Sequence, residues 1–263
     1  MCRTCGCSPS SEAASTHEDE HHDHGTVDAH HHDQDAPSLA PRLRTIEQRV
    51  LERNDRAADE TRRWLRSRRI TAVNLMAGPG AGKTTLLERT IRDLGPEVDV
   101  LVIEGDQATD NDTQRIRAVG GAAIQINTGA GCHLDATTVA DALARLDPPV
   151  GSLVVIENVG NLVCPALFDL GEMARAIVLS VTDGDDKALK YPHMFRAGHA
   201  LLINKLDLLP YVAFDVDRCI AHARLVNARL RTYEISATRG DGLSAWYGWL
   251  GELRDTAMAG AMT

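Results

Sequence analysis

The sequence predicts an α/β fold: a mostly parallel sheet with helices on both faces, preceded by a disordered tail rich in cysteine and histidine. Three observations predict it. Apolar strand-like runs alternate with helix-like segments from about residue 70 onward, and parallel strands need crossover helices between them. A glycine-rich stretch, Gly78 to Gly82, joins the first apolar run to the first helical one. Finally, residues 1–37 hold Val27 as their only branched aliphatic side chain, too little apolar surface to offset chain entropy.

In chain order, residues 1–37 form the tail and residues 38–69 a helical segment. In that segment Leu43, Ile46, Val50, Ala57, Trp64 and Leu65 recur at about helical spacing among many charges. Residues 70–263 form the α/β domain. Strands are expected at 71–77, 98–104, 122–126, 153–157, 176–181, 200–204 and 232–235, and helices at 84–94, 135–146, 215–229 and 243–254. No repeat at solenoid periods is present.

At 263 residues, 43% hydrophobic and 25% charged, the chain can bury one main core. A formal charge of -9 with no clustered basic surface argues against a nucleic-acid or anionic-membrane partner. No apolar run reaches bilayer length and no secretory layout opens the chain, so a cytoplasmic location is expected. There the 6 cysteines read as thiols, and their spacing becomes a question of metal ligation.

The first strand leads into Ala77-Gly78-Pro79-Gly80-Ala81-Gly82-Lys83-Thr84-Thr85 and then a helical run. This is the layout of a P-loop. Backbone N–H groups converge on phosphate oxygens, Lys83 supplies positive charge to the β and γ phosphates, and the Thr84 hydroxyl suits Mg²⁺. One position departs from G-x-x-x-x-G-K-[ST]: Ala77 stands where glycine is usual, and Gly78 is expected to provide the turn. The base is indicated by Asn204-Lys205-Leu206-Asp207 after a strand. The Asp207 carboxylate can accept from guanine N1 and N2, which adenine does not offer in that arrangement. Asn204 and Lys205 flank the base, and Ser236-Ala237-Thr238 resembles the loop that closes over guanine. Two strand-end acids, Asp106 and Glu157, are candidates for magnesium and water control. Glu157-Asn158-Val159-Gly160 varies the D-x-x-G switch, whose glycine a γ-phosphate can order.

Three metal constellations remain. Cys2, Cys5 and Cys7 place three thiolates within six residues, a set that suits square-planar Ni²⁺ and equally tetrahedral Zn²⁺. A redox C-x-x-C belongs at a helix start after a strand, unlike this one. His17, His21, His22, His24, His30, His31 and His32 are interleaved with acids, a composition suited to low-selectivity metal storage or simply to a solvated tail. Cys132-His133 lies in a loop after the third strand, and Cys164 lies four residues beyond Gly160. That nearness would tie a metal ligand to the segment that moves on hydrolysis, with reciprocal coupling. The structural reading of Cys132 and Cys164 is a small buried hydrophobe, to which Cys219 is assigned.

Taken together, MCRTCGC, the histidine tract, GPGAGKTTLL, EGDQATDNDTQRIRA, NTGAGCHLDA, IENVGNLVCPALFDLGE, LKYPHMF, NKLDLLPY and ISATRGDGL make the chain resemble the HypB family. Those are the GTPases that help insert nickel into nickel–iron hydrogenase. The resemblance implies a SIMIBI-class G domain that binds GTP or GDP with Mg²⁺ and forms a GTP-dependent homodimer. It also implies a tight nickel site at Cys2, Cys5 and Cys7, and a weaker nickel or zinc site at Cys132, His133 and Cys164. The implied partners are a HypA-type insertion protein and the hydrogenase large subunit. A delivery GTPase for urease or another metalloenzyme is the nearest alternative, and a nickel storage protein the alternative of another class. No arginine finger is identifiable, so slow intrinsic turnover is expected.

Overall fold

A computed structural model of the chain describes residues 39–106, 110–129, 131 and 133–260, with side chains from Gln48 onward. Residues from Val50 onward form one compact unit, and before it only the opening of helix α1 (Leu39–Ser67) is described. After it come β1 (Thr71–Ala77), α2 (Lys83–Leu94), β2 (Val100–Asp106), α3 (Asn111–Ala118), β3 (Ala122–Asn127), α4 (Ala136–Leu146) and β4 (Leu153–Glu157). The chain continues through a 3-10 turn (Cys164–Ala166), β5 (Ala174–Ser180), α5 (Lys187–Lys190), α6 (Pro192–Ala197) and β6 (Ala200–Asn204). A second 3-10 turn (Leu206–Tyr211), α7 (Val216–Val226), β7 (Arg231–Glu234) and α8 (Leu243–Ala259) complete it.

The seven strands form one sheet in the order β3-β2-β4-β1-β5-β6-β7, every pairing parallel. Side chains alternate across a strand, so β1 sends Val73, Leu75 and Ala77 to one face and Ala72, Asn74 and Met76 to the other. The first face packs on Leu86, Leu87 and Ile91 of α2, Ile116 of α3 and Trp246, Trp249 and Leu250 of α8. There the buried Trp246 indole N–H donates to the Thr90 hydroxyl at 3.1 Å, leaving no orphaned donor. The second face packs on Leu65 of α1 and Val139, Ala142 and Leu143 of α4, and further along on Phe195 of α6 and Ala223 of α7. This is the three-layer arrangement expected for a parallel sheet buried on both sides.

Several boundaries differ from the sequence reading for local reasons. Strand β2 starts and ends two residues later than expected, running through Asp106. Strand β5 starts earlier, at Ala174, because Arg175 interrupts the apolar run without interrupting the ladder. Helix α7 stops at Val226, where the Asn227 side-chain amide turns back to the carbonyls of Phe195 and Gly198. Asp135 caps α4 through Thr138 N at 2.8 Å rather than lying inside it.

Candidate nucleotide and metal site

All seven parallel strands end on one side of the sheet, the edge where α/β folds bind their ligands, and the described candidates for nucleotide binding, from Gly78 to Thr85 and from Asn204 to Asp207, follow strand ends there. Ala77 is fully buried as the last residue of β1 and pairs with Val178. The strand therefore runs one residue further than a glycine at that position would favour. Gly78 opens the turn as expected, its carbonyl accepting from Ala81 N at 3.5 Å, while positive φ falls at Gly80 (73°) and Gly82 (98°). Gly82 has a second reason to lack a side chain, since a Cβ there would stand 2.6 Å from Asn204 Nδ2.

That contact exists because the segment from Asn204 to Asp207 is fastened to the phosphate loop. Asn204 Nδ2 donates to the Ala81 carbonyl at 2.9 Å, and its Oδ1 accepts from Ala237 N at 3.1 Å. Lys205, in the left-handed conformation at φ 65°, donates from Nζ to the Gly80 carbonyl at 2.7 Å. The Ser236 hydroxyl donates to Asp207 Oδ1 at 2.6 Å, which orients the carboxylate. Asn204 and Ser236 are buried, and their hydrogen bonds brace the segment that carries Asp207.

Thr84 and Glu157 meet beside Lys83. The Thr84 hydroxyl donates to Glu157 Oε1 at 2.9 Å. Glu157 Oε2 is buried with no hydrogen-bond partner, which is costly for a carboxylate. Burial pushes the Glu157 carboxyl up to about 7, against the pull of the Lys83 ammonium and the Thr84 hydroxyl, while Asp112 and Glu104 push it further up. A hydroxyl, an orphaned carboxylate oxygen and a second strand-end acid, Asp106, are the hard oxygen donors that Mg²⁺ takes, so the residues fit that ion. Gly160 lies against the phosphate loop, where a Cβ would come within 3.1 Å of Pro79 Cα.

Three residues of this site escaped the sequence reading. Glu104 is buried on β2 directly opposite Glu157 in register, takes a short hydrogen bond from the Thr113 hydroxyl, and is pushed above the usual carboxylate range by burial. The signal was available as an acid inside the run Val-Leu-Val-Ile-Glu. Asp112 and Arg115 come from α3. Arg115 bonds Glu88 at 3.0 Å, Asp112 at 3.1 Å and the Thr85 hydroxyl at 3.2 Å, bracing α3 against the start of α2.

Of the metal candidates, Cys2, Cys5, Cys7, the seven tail histidines and Cys132 lie outside the described residues. Among the described residues, no group of three or more His, Cys, Asp and Glu is placed to hold a metal. His133 stacks on Phe168, ring centroids 3.8 Å apart and planes 18° apart. Burial lowers its pKa, so the imidazole stays neutral, as a metal ligand must be. Cys164 is buried at the start of the first 3-10 turn, where Asn161 Oδ1 accepts from the backbone N of Val163 and Cys164. Cys219 is buried, with a thiol pushed up to about 12 by burial, as expected of an inert core cysteine. Among the described residues, no helix is long and apolar enough to cross a membrane.

Residues 71–234 match the family described as CobW/HypB/UreG, nucleotide-binding domain. A protein described as hydrogenase maturation factor HypB, from Azotobacter vinelandii, is 53% identical over 224 residues, covering 85% of this chain and 74% of that protein. HypB from Archaeoglobus fulgidus has a crystal structure with TM-score 0.73 and 40% identity, covering 78% of this chain and 100% of that one. A crystal structure of HypB from Helicobacter pylori in complex with nickel gives TM-score 0.72 and 34% identity, covering 78% of this chain and 96% of that one.

Proposed function

The chain belongs to the HypB family of hydrogenase maturation factors, and from that premise we propose that it is a magnesium-dependent GTPase that delivers nickel during nickel–iron hydrogenase maturation. The observation that carries this reading is the position of Glu157. Its carboxylate bonds Thr84 of the phosphate loop, and it opens the segment that passes Gly160 and ends at Cys164. One stretch of chain thus touches both the nucleotide site and a candidate metal ligand.

In this reading Gly78, Pro79, Gly80, Ala81, Gly82 and Thr85 form the phosphate cradle, and Lys83 neutralises charge developing on the phosphates. Thr84, Asp106 and Glu157 hold Mg²⁺, which would supply charge neutralisation on the phosphates. Asp207 reads guanine, braced by Asn204, Lys205, Ser236 and Ala237. Turnover is slow. Nickel, the cargo, is taken tightly by Cys2, Cys5 and Cys7. A second, weaker nickel or zinc site uses Cys132, His133 and Cys164, and His17, His21, His22, His24, His30, His31 and His32 store additional ions. Dimerisation with GTP, handover to a HypA-type protein and the hydrogenase large subunit, and a cytoplasmic location complete the proposal. The domain division is a tail over 1–37, a helical segment over 38–69 and the GTPase domain over 70–263.

The test is nickel binding by the full chain with GDP or a non-hydrolysable GTP analogue, comparing wild type with Cys164→Ala and measuring oligomeric mass in the same samples. A nucleotide-dependent affinity or mass that Cys164→Ala removes supports switch-coupled delivery. Metal binding indifferent to nucleotide reduces the protein to a GTPase with an independent nickel store.

A further inference from the structure

The second face of the sheet is apolar along β1 except at Asn74, which is fully buried. A buried amide is costly unless each of its groups is paired. Asn74 Oδ1 accepts from Asn158 Nδ2 at 3.2 Å, and its Nδ2 donates to Glu172 Oε1 at 3.3 Å. Neither partner is a sequence neighbour: they lie 84 and 98 residues away.

From this amide two arms run outward. On one side, Asn158 follows Glu157 in the nucleotide-facing segment. Its Oδ1 accepts from Val159 N at 3.0 Å and Leu134 N at 3.4 Å, and Leu134 is the residue after His133. On the other side, the buried Glu172 accepts from Leu170 N at 2.7 Å and from Arg175 Nε at 2.5 Å. Arg175 then donates to the carbonyls of Ala166 at 3.3 Å and Phe168 at 3.4 Å. Those carbonyls lie two and four residues beyond Cys164, and the Phe168 ring stacks on His133. Both stretches that carry candidate ligands are therefore hydrogen-bonded into one buried network, and its free end is the residue after Glu157.

We propose that Asn158, anchored by Asn74, is the positioning residue that transmits movement of the 157–160 segment to the 133–134 and 164–168 stretches. Its side chain grips β1 and the stretch before α4 at once, so Asn158 cannot shift toward a γ-phosphate without releasing Leu134, Asn74 or both. The network then holds one of two discrete hydrogen-bonding arrangements, which is the physical requirement for coupling between sites. The inference rests on the reading that residues 157–160 respond to nucleotide. It does not depend on Cys132, His133 and Cys164 binding metal.

The test is hydrogen–deuterium exchange of the full chain with Mg²⁺ and no other added metal, with GDP or a non-hydrolysable GTP analogue. In wild type, peptides covering 133–136 and 164–170 are expected to change exchange rate at least about threefold between the nucleotides. Asn74→Leu, which replaces the amide by an apolar group of similar size, abolishes that difference, while peptides of the phosphate loop keep their wild-type response. Arg175→Lys keeps a charge beside Glu172 but cannot span two carbonyls. It loses the response at 164–170 and keeps it at 133–136, and because Arg175 reaches the surface it serves if Asn74→Leu does not fold. Folded variants that retain the full response at both stretches overturn the proposal, as does a wild type in which only the phosphate loop responds. A response that is intact in wild type and lost in Asn74→Leu, with nickel affinity indifferent to nucleotide, sustains the network and sinks the metal reading instead.

Discussion

Replacing Glu157 by glutamine separates the cost of its burial from its use. In the folded protein without nucleotide or metal, burial raises the carboxyl to about 7 from an ordinary 4.5. The folded state therefore binds a proton more tightly than the unfolded chain, and stability is greatest below about pH 4.5. It is lost as pH climbs through the interval from 4.5 to about 7. The difference of about 2.5 pH units at about 1.36 kcal/mol each amounts to about 3 kcal/mol. Glutamine keeps the shape and can still accept from Thr84, but carries no charge, so this contribution vanishes. Urea unfolding of both proteins in chelator between pH 5 and 8 is the assay. The wild type should lose ground to Glu157→Gln steadily as pH rises, until the variant is the more stable by about 2–3 kcal/mol at pH 8. The same variant should hydrolyse GTP at least about a hundredfold more slowly. Parallel stability profiles for the two proteins would refute the reasoning, because Glu157 would then be no more costly to charge in the fold than in the unfolded chain.

Four further outcomes are expected. Gly82→Ala meets both a left-handed φ and the Asn204 amide, and should weaken GTP and GDP binding about 30- to 100-fold by calorimetry. Asp207→Asn should lose GTP affinity by about a hundredfold and gain it for xanthosine triphosphate, whose C2 carbonyl accepts from the new amide where guanine offers a donor. Lys83→Ala should abolish phosphate release yet leave nickel binding by Cys2, Cys5 and Cys7 unchanged; loss of both together would argue against a separate tail site. Deleting residues 17–32 should lower nickel stoichiometry, read by equilibrium dialysis with elemental analysis, without altering GTP turnover.

The sheet was legible because each buried strand reads as an apolar run and each crossover as a helical one. Thr71–Ala77, Leu153–Glu157 and Ala200–Asn204 were placed to the residue for that reason. Helix α3 was not legible. Only Thr113 and Ile116 of its eight residues are buried, which leaves no apolar stripe for periodicity to detect, and with it went Asp112 and Arg115. The short helices α5 and α6, split at Pro192, escaped similarly. At the site, contiguous motifs announced the phosphate loop and marked Asn204 to Asp207 as a candidate segment. Asn74, Glu172 and Arg175 were silent, because a polar residue in or beside an apolar run shows its purpose only through partners brought together by the sheet.

The bonds from Asn204 and Lys205 to the Ala81 and Gly80 carbonyls make the two ends of the nucleotide pocket one mechanical piece before any nucleotide arrives. Fastening them in advance leaves little ordering entropy to be lost when a ligand binds there, which raises affinity.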